Sequence, residues 1–207
     1  MAKTKKRKAI RHARIKVGRN LEATWIGTNN MGPNTRSSLK LKLKLMTHEM
    51  RRTVRQIAIC TDKRHMAGAA AHCHSASGHI CFATTDYATI EFLAHEVAHA
   101  LIHTLQRAGS SFLKEWGQIA GIEYGSPDFK DQHFPCDGLV CEYGSKNIDE
   151  DIATHVQYIY NFLHTYQPTP LFKITKNDPR YYAKLRLLLK YHFINQRHFD
   201  LIAPLFR

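Results

Sequence analysis

The stretch of sequence that decides the fold is His95-Glu96-Val97-Ala98-His99, an HExxH pattern. It lies in the run from Ile90 to Arg107, which has no proline or glycine and carries apolar residues at helical spacing. Because residues four apart on a helix share a face, both imidazoles can point at one cation. Two neutral imidazoles suit Zn²⁺, and a neighbouring carboxylate suits the proton transfers of hydrolysis. The pattern predicts one zinc ion held by His95 and His99, with Glu96 as general base. Two ordinary helical histidines are the alternative.

The composition is that of a globular protein rather than a disordered one. The chain has 207 residues and is 43% hydrophobic, enough for one well-packed domain. It contains no apolar run long enough to cross a bilayer, and no signal-peptide core follows its basic N-terminus. Five cysteines without framework spacing fit a reducing compartment. We therefore expect a cytoplasmic protein without membrane contact.

Positive charge is concentrated at the N-terminus. The net charge is +13, and the segment from Lys3 to Arg19 is rich in lysine and arginine and has no acidic residue. Such a block is typical of a flexible tail that binds nucleic-acid phosphates non-specifically, or of a tail that only improves solubility. With the turn-rich residues 28–34, it predicts a flexible tail and linker over residues 1–34.

Residues 35–207 are predicted to form a single domain. Its first part, 35–108, would hold a small mixed sheet and the HExxH helix, and its second part, 109–207, a loop and further helices. The alternation from Leu39 to Leu45 predicts a strand with one buried and one cationic face. The other predicted elements are a short basic helix over 48–56, strands over 57–60 and 78–84, a helix over 90–107 capped by Thr85 or Asp86, a helix over 112–119, an irregular loop over 123–147, and helices over 152–166 and 181–193.

A zinc site with two protein ligands would be weak, so the chain must supply a third. The metzincin position, six residues after the second histidine, is Leu105, which excludes that class. Glu123 lies in loop-like sequence. Glu150 is the better candidate, because it opens an amphipathic helix and can turn toward the HExxH helix. The remaining alternatives are Asp149, Asp151, His133 and His155.

At this point the chain resembles a family. HExxH, a long gap, and then Tyr143-Gly144, Asn147 and Glu150-Asp151-Ile152-Ala153 look like the glutamate-zincins, or gluzincins, of the anthrax lethal-factor-like group. The resemblance covers roughly residues 78–166. It implies an α+β, zincin-like fold, with a small N-terminal mixed sheet and the active-site helix followed by a helical C-terminal half.

The same resemblance implies the roles of individual residues. His95, His99 and Glu150 would bind zinc, Glu96 would be the general base, and Tyr143 would stabilise the oxyanion during cleavage of a protein or peptide substrate. Members often carry a second acid one turn after the glutamate, where this chain has Thr154. Asp149, Asp151 or Thr154 would then orient a zinc histidine.

Two other functions fit parts of the sequence. The run from His95 to His103 also resembles the helix of ImmA/IrrE-type regulatory peptidases. A basic nucleic-acid-binding protein with a structural or vestigial zinc is the alternative outside the enzymes. The strand near Ile80–Ala83 is expected to be an edge strand that pairs with substrate. The nearby histidines and cysteines are not expected to bind metal, because neighbours on a strand point to opposite faces: His72, Cys73, His74, His79 and Cys81.

Overall fold

A computed structural model describes residues 12–16, 22–27, 33–59, 66, 68–167 and 177–206 of the chain. These residues form an α+β structure in which a mixed sheet precedes a predominantly helical half, as the sequence predicts at that coarse level. No helix among the described residues is long and apolar enough to cross a membrane.

The sheet has five strands in the order β1-β2-β3-β5-β4. Their bounds are β1 His12–Lys16, β2 Glu22–Gly27, β3 Gln56–Ile59, β4 Ala71–His74 and β5 His79–Phe82. Strand β3 is parallel to both β2 and β5, whereas β1 and β4 pair antiparallel with β2 and β5 respectively. The two strands predicted at 57–60 and 78–84 are therefore present as β3 and β5.

The predicted edge strand is wrong. Strand β5, which contains Ile80, lies between β3 and β4, and both of its edges are hydrogen-bonded. The edge strand on this side of the sheet is β4, which contacts the HExxH helix. Strand β4 was not predicted because it lies in a sequence rich in Gly, Ala, His and Ser, whereas β-branched and aromatic residues are the usual signal of a strand.

Strands β1 and β2 lie in the part of the chain that was expected to be a flexible tail and linker. The other residues of that part, through Gly32, lie outside the described residues. The strand predicted near Cys60 ends at Ile59, and Cys60 itself also lies outside them.

The helices form most of the remaining structure. Their bounds are α1 Pro33–Leu45, α2 His48–Thr53, α3 Ile90–Arg107, α4 Phe112–Ala120, α5 Ile148–Thr165, α6 Pro179–Lys190 and α7 Gln196–Ile202. Short 3₁₀ turns, Pro127–Phe129 and Glu142–Lys146, interrupt the long loop that precedes α5, and a third, Ala203–Phe206, follows α7.

The leucine–lysine alternation forms a helix, so the predicted strand from Leu39 to Leu45 is wrong. Leu39, Leu43 and Met46 are buried, a spacing of four and three, while Leu41 is 63% exposed. A strand would have put Leu39, Leu41 and Leu43 on one face. Leucine and lysine both favour helices, and the segment contains no β-branched residue to oppose them.

Helix α3 has the predicted bounds but a different cap. Thr89 is its N-cap, and the Thr89 hydroxyl accepts a hydrogen bond from the backbone N–H of Phe92 at 3.4 Å. The predicted caps, Thr85 and Asp86, lie in the turn before it. Helix α3 packs against α5 on one side and against α2 and β4 on others. Consequently the HExxH residues lie in the interior of the domain rather than on a solvent-exposed helix.

Candidate metal centre

Two helices bring three ligand-type side chains together. His95 and His99 lie in the buried middle of α3, on the face toward α5. Asn147 caps α5, and the Asn147 Oδ1 accepts a hydrogen bond from the Glu150 backbone N–H at 2.9 Å. This cap places Glu150 in the first turn of α5, with its side chain against the two imidazoles.

The three ligand atoms are arranged as one ion requires. The Glu150 Oε2 lies 3.0 Å from His95 Nε2 and 3.4 Å from His99 Nε2. The two Nε2 atoms are 3.2 Å apart. Atoms bound at 2.0–2.1 Å to one tetrahedral ion are about 3.3–3.4 Å from one another. The group can therefore hold a metal ion, and it is the one such cluster among the described residues.

A hydrogen bond from His95 to Gln157 sets the tautomer of His95. The side-chain Oε1 of Gln157 lies 3.1 Å from His95 Nδ1. Because an amide oxygen only accepts, Nδ1 carries the proton that bonds Gln157, and Nε2 is the ring atom that faces His99 and Glu150. Gln157 follows Glu150 by seven residues, two helical turns along the same face. It was missed from the sequence, although a polar side chain at that spacing was the available signal.

The residues expected to orient a zinc histidine act elsewhere. Asp151 points into a buried network on the other side of α5, and the Thr154 hydroxyl donates to the Asp151 carbonyl at 3.0 Å. Within the described residues, Asp149 has a buried Oδ1 without a hydrogen-bond partner, and it interacts with His99 only electrostatically. Gln157, and not Asp149, Asp151 or Thr154, is the side chain that bonds the Nδ1 of His95.

The alternative third ligands do not reach the cluster. Glu123 and His133 are exposed in the loop that precedes α5. His155 is buried, and its Nδ1 contacts both the backbone oxygen and the carboxylate of Asp151, at 2.8 and 3.0 Å. Of the candidates considered, Glu150 is the acid that the structure brings to both histidines.

Glu96 is buried beside the cluster and has an altered acidity. Burial raises the pKa of its carboxyl, although positive charge on His95 and His99 opposes the shift. A hydrogen bond from the backbone of Cys73, on the edge strand β4, also lowers it. A carboxylate with a raised pKa accepts protons more readily near neutral pH.

Tyr143 lies beside the cluster and is partly exposed. Its hydroxyl donates to Glu150 Oε1 at 3.4 Å, and its ring centre is 5.9 Å from that of His95. Lys146 stacks on the outer face of the ring, with Nζ 3.9 Å from the centre. Burial and the Glu150 carboxylate raise the pKa of the Tyr143 phenol, so the hydroxyl stays a donor at neutral pH. The side chain is 46% exposed and can therefore meet a bound molecule.

The histidines and cysteines of β4 and β5 form no metal cluster among the described residues. His72 and His74 share the exposed face of β4, with ring centres 4.6 Å apart, while Cys73 points inward. Burial raises the pKa of the Cys73 thiol well above its usual range, which makes it a poor metal ligand.

Comparison of the chain with protein-family models, with curated proteins and with solved structures gives no match. The function of this centre has to be inferred from its own geometry.

Proposed function

We propose that the protein is a zinc-dependent metallopeptidase of the gluzincin type, with His95, His99 and Glu150 holding one zinc ion. The observation that carries the proposal is the three-atom ligand set at nearly tetrahedral spacing, with the buried Glu96 carboxylate beside it. Two imidazoles and one carboxylate, with the fourth position open, are the ligand set of catalytic rather than structural zinc.

Zinc bound there supplies a Lewis acid that activates water and polarises a peptide carbonyl. Glu96 takes the proton from the attacking water and returns it to the leaving amine. Burial raises the pKa of the Glu96 carboxyl, which favours the first of these transfers, the uptake of the proton. The Tyr143 hydroxyl donates a hydrogen bond to the carbonyl oxygen of the scissile peptide bond, which gains negative charge during the attack. Its exposed position beside Glu150 leaves room for that oxygen.

The edge strand β4 is proposed to align the substrate. One edge of β4 pairs with β5, and among the described strands none pairs with the other edge. An extended peptide can add to such an edge through backbone hydrogen bonds. The contact of Cys73 with Glu96 places β4 directly beside the proposed base. Strand β4 therefore takes the role that the sequence suggested for Ile80–Ala83.

Removing Glu150 tests the metal site directly. We expect the wild-type protein to bind one zinc per chain and Glu150→Ala to bind it about 100-fold or more weakly, because only two ligands remain. Metal analysis after dialysis against a graded zinc chelator measures both. Glu142→Ala is the matched control, since Glu142 is exposed on the 3₁₀ turn before α5. Unchanged zinc binding in Glu150→Ala would remove Glu150 from the site, and a zinc-free wild type would favour the nucleic-acid-binding alternative.

Gln157→Ala should weaken zinc binding by about 10- to 100-fold, because His95 loses the partner that fixes its tautomer. Gln157→Glu keeps an acceptor oxygen and should bind zinc at least as well as the wild type. Competition against a fluorescent zinc chelator gives both constants. Equal zinc affinity in Gln157→Ala and the wild type would show that this hydrogen bond does not support the site.

A further inference from the structure

A cavity of about 740 Å³ lies along the C-terminal half of α3, the helix that carries His95 and His99. Its walls come from α2, the turn between β4 and β5, and the C-terminal half of α3. His103, which lines the cavity, follows His99 by four residues and so lies one helical turn beyond the proposed zinc ligand.

The wall between α2 and the β4–β5 turn is held by backbone contacts. The Arg55 backbone N–H donates to the Gly78 carbonyl at 2.8 Å. Gly78 has a φ of +66°, and a Cβ at this position would overlap the carbonyl oxygen of Thr53. Only glycine permits this approach. The backbone thus fixes the wall of the cavity between α2 and the β4–β5 turn.

The cavity is lined by positive charge. Arg52 of α2, Arg55 shortly after α2 and Arg107 at the end of α3 line it, and all three are exposed. No carboxylate among the described residues forms an ion pair with any of them. Glu49 is the one acidic residue among the described lining, and its side chain lies 3.9 Å from His48. Three guanidinium groups that have no ion pair within the described part of the chain surround one concave site, and such a group attracts an anion.

The cavity continues the line of the edge strand. Cys73 of β4 contacts Glu96, and Ser75, just after the end of β4, lines the cavity. A peptide paired with β4 would extend by about 3.3 Å per residue. Its residues about two to four positions from the metal centre would therefore lie beside Ser75. A side chain at that distance from the scissile bond would enter the cavity.

We propose that this cavity is a specificity subsite for acidic side chains of the peptide substrate, bound by Arg52, Arg55 and Arg107. The inference rests on the proposed peptidase function. A peptide is favoured over nucleic acid because β4 can pair with a peptide backbone and deliver its side chains to the cavity.

Peptide binding by the zinc-loaded full-length Glu96→Gln protein, which is expected not to consume its ligand, tests the proposal. Fluorescence anisotropy would compare a peptide with Asp and Glu two to four residues on each side of the central bond with the same peptide carrying Asn and Gln. In the Glu96→Gln background, R52Q/R55Q/R107Q should lower affinity for the acidic peptide about tenfold or more and leave the neutral peptide unchanged.

A matched triple variant removes the same charge elsewhere. Lys40, Lys114 and Arg197 are exposed, and none of them lines the cavity. We expect K40Q/K114Q/R197Q to lower the affinity for the acidic peptide by less than about threefold at 0.15 M salt. Circular dichroism and zinc content should match the wild type in both triple variants, because every replaced side chain is on the surface.

Three results would overturn the subsite. One is an equal loss of acidic-peptide affinity in the two triple variants, which would assign the effect to overall charge. Another is a larger loss for a single-stranded RNA than for the acidic peptide in the cavity variant. The third is cleavage by the zinc-loaded wild type with no preference for the acidic peptide. Cavity-dependent peptide binding without any cleavage would instead overturn the peptidase function, so the two failures are distinguishable.

Discussion

Glu96→Gln should keep the wild-type zinc content and lower peptide-bond hydrolysis by about 10²- to 10⁴-fold. The amide has nearly the same shape as the carboxylate but cannot accept the proton of the attacking water. Glu96 is buried next to both histidines and contributes no atom to the three-ligand cluster, so metal binding should survive its loss. Cleavage of a fluorogenic peptide library and metal analysis of the same preparation measure the two quantities.

Glu91→Gln is the control for this substitution. Glu91 lies in the first turn of the same helix, and it is only partly buried. We expect it to keep both zinc and activity. Proteolysis retained by Glu96→Gln would eliminate Glu96 as the base, and loss of zinc from that variant would mean that Glu96 supports the metal rather than the reaction.

The sequence predicted the HExxH helix because its information is local. Helix α3 carries its apolar residues at helical spacing and has neither proline nor glycine, so its bounds follow from pattern alone. The same kind of pattern misled at Leu39–Leu45, where strict alternation agrees with a strand but the residues favour a helix. Burial at Leu39, Leu43 and Met46 shows that packing and propensity prevailed over the apparent period.

The candidate site was predictable where it depended on short spacing and less so where it depended on distant contacts. Glu150 was found because it opens a helix, and the Asn147 cap explains its placement. Gln157 was missed because its role depends on a hydrogen bond with His95, which lies 62 residues earlier in the chain. A contact between residues so far apart leaves no short-range pattern in the sequence. Strand β4 was absent from the predicted elements, although His72–His74 were treated as strand residues, because its four residues are defined by pairing with β5 and not by their own propensity.

Asp151→Ala should destabilise the fold by about 3–5 kcal/mol, because it leaves the Lys184 ammonium buried without its counter-charge. Both side chains have no solvent exposure, and Lys184 Nζ lies 2.7 Å from Asp151 Oδ2. The same oxygen accepts hydrogen bonds from Trp116 Nε1 at 2.8 Å and Tyr124 OH at 2.7 Å. Urea unfolding of the metal-free protein measures the free-energy change without the contribution of zinc.

A double substitution and a pH series separate the buried charge from lost packing. Asp151→Asn with Lys184→Met removes both charges and should cost less stability than Asp151→Ala alone, since no ion is left unpaired.

Burial raises the pKa of Asp151, but contacts with His155 and Lys184 overcome this and hold the pKa well below its usual range. Because the pKa of Asp151 is lower in the folded state, the ionised carboxylate stabilises the protein at pH values above the unfolded pKa of about 3.9. This stabilisation is lost progressively as the pH falls below that value. The stability gap between wild type and Asp151→Ala should therefore shrink below about pH 4. A gap under about 1 kcal/mol at pH 7, or one that does not narrow in acid, would mean that this buried pair does not hold α5 and α6 together.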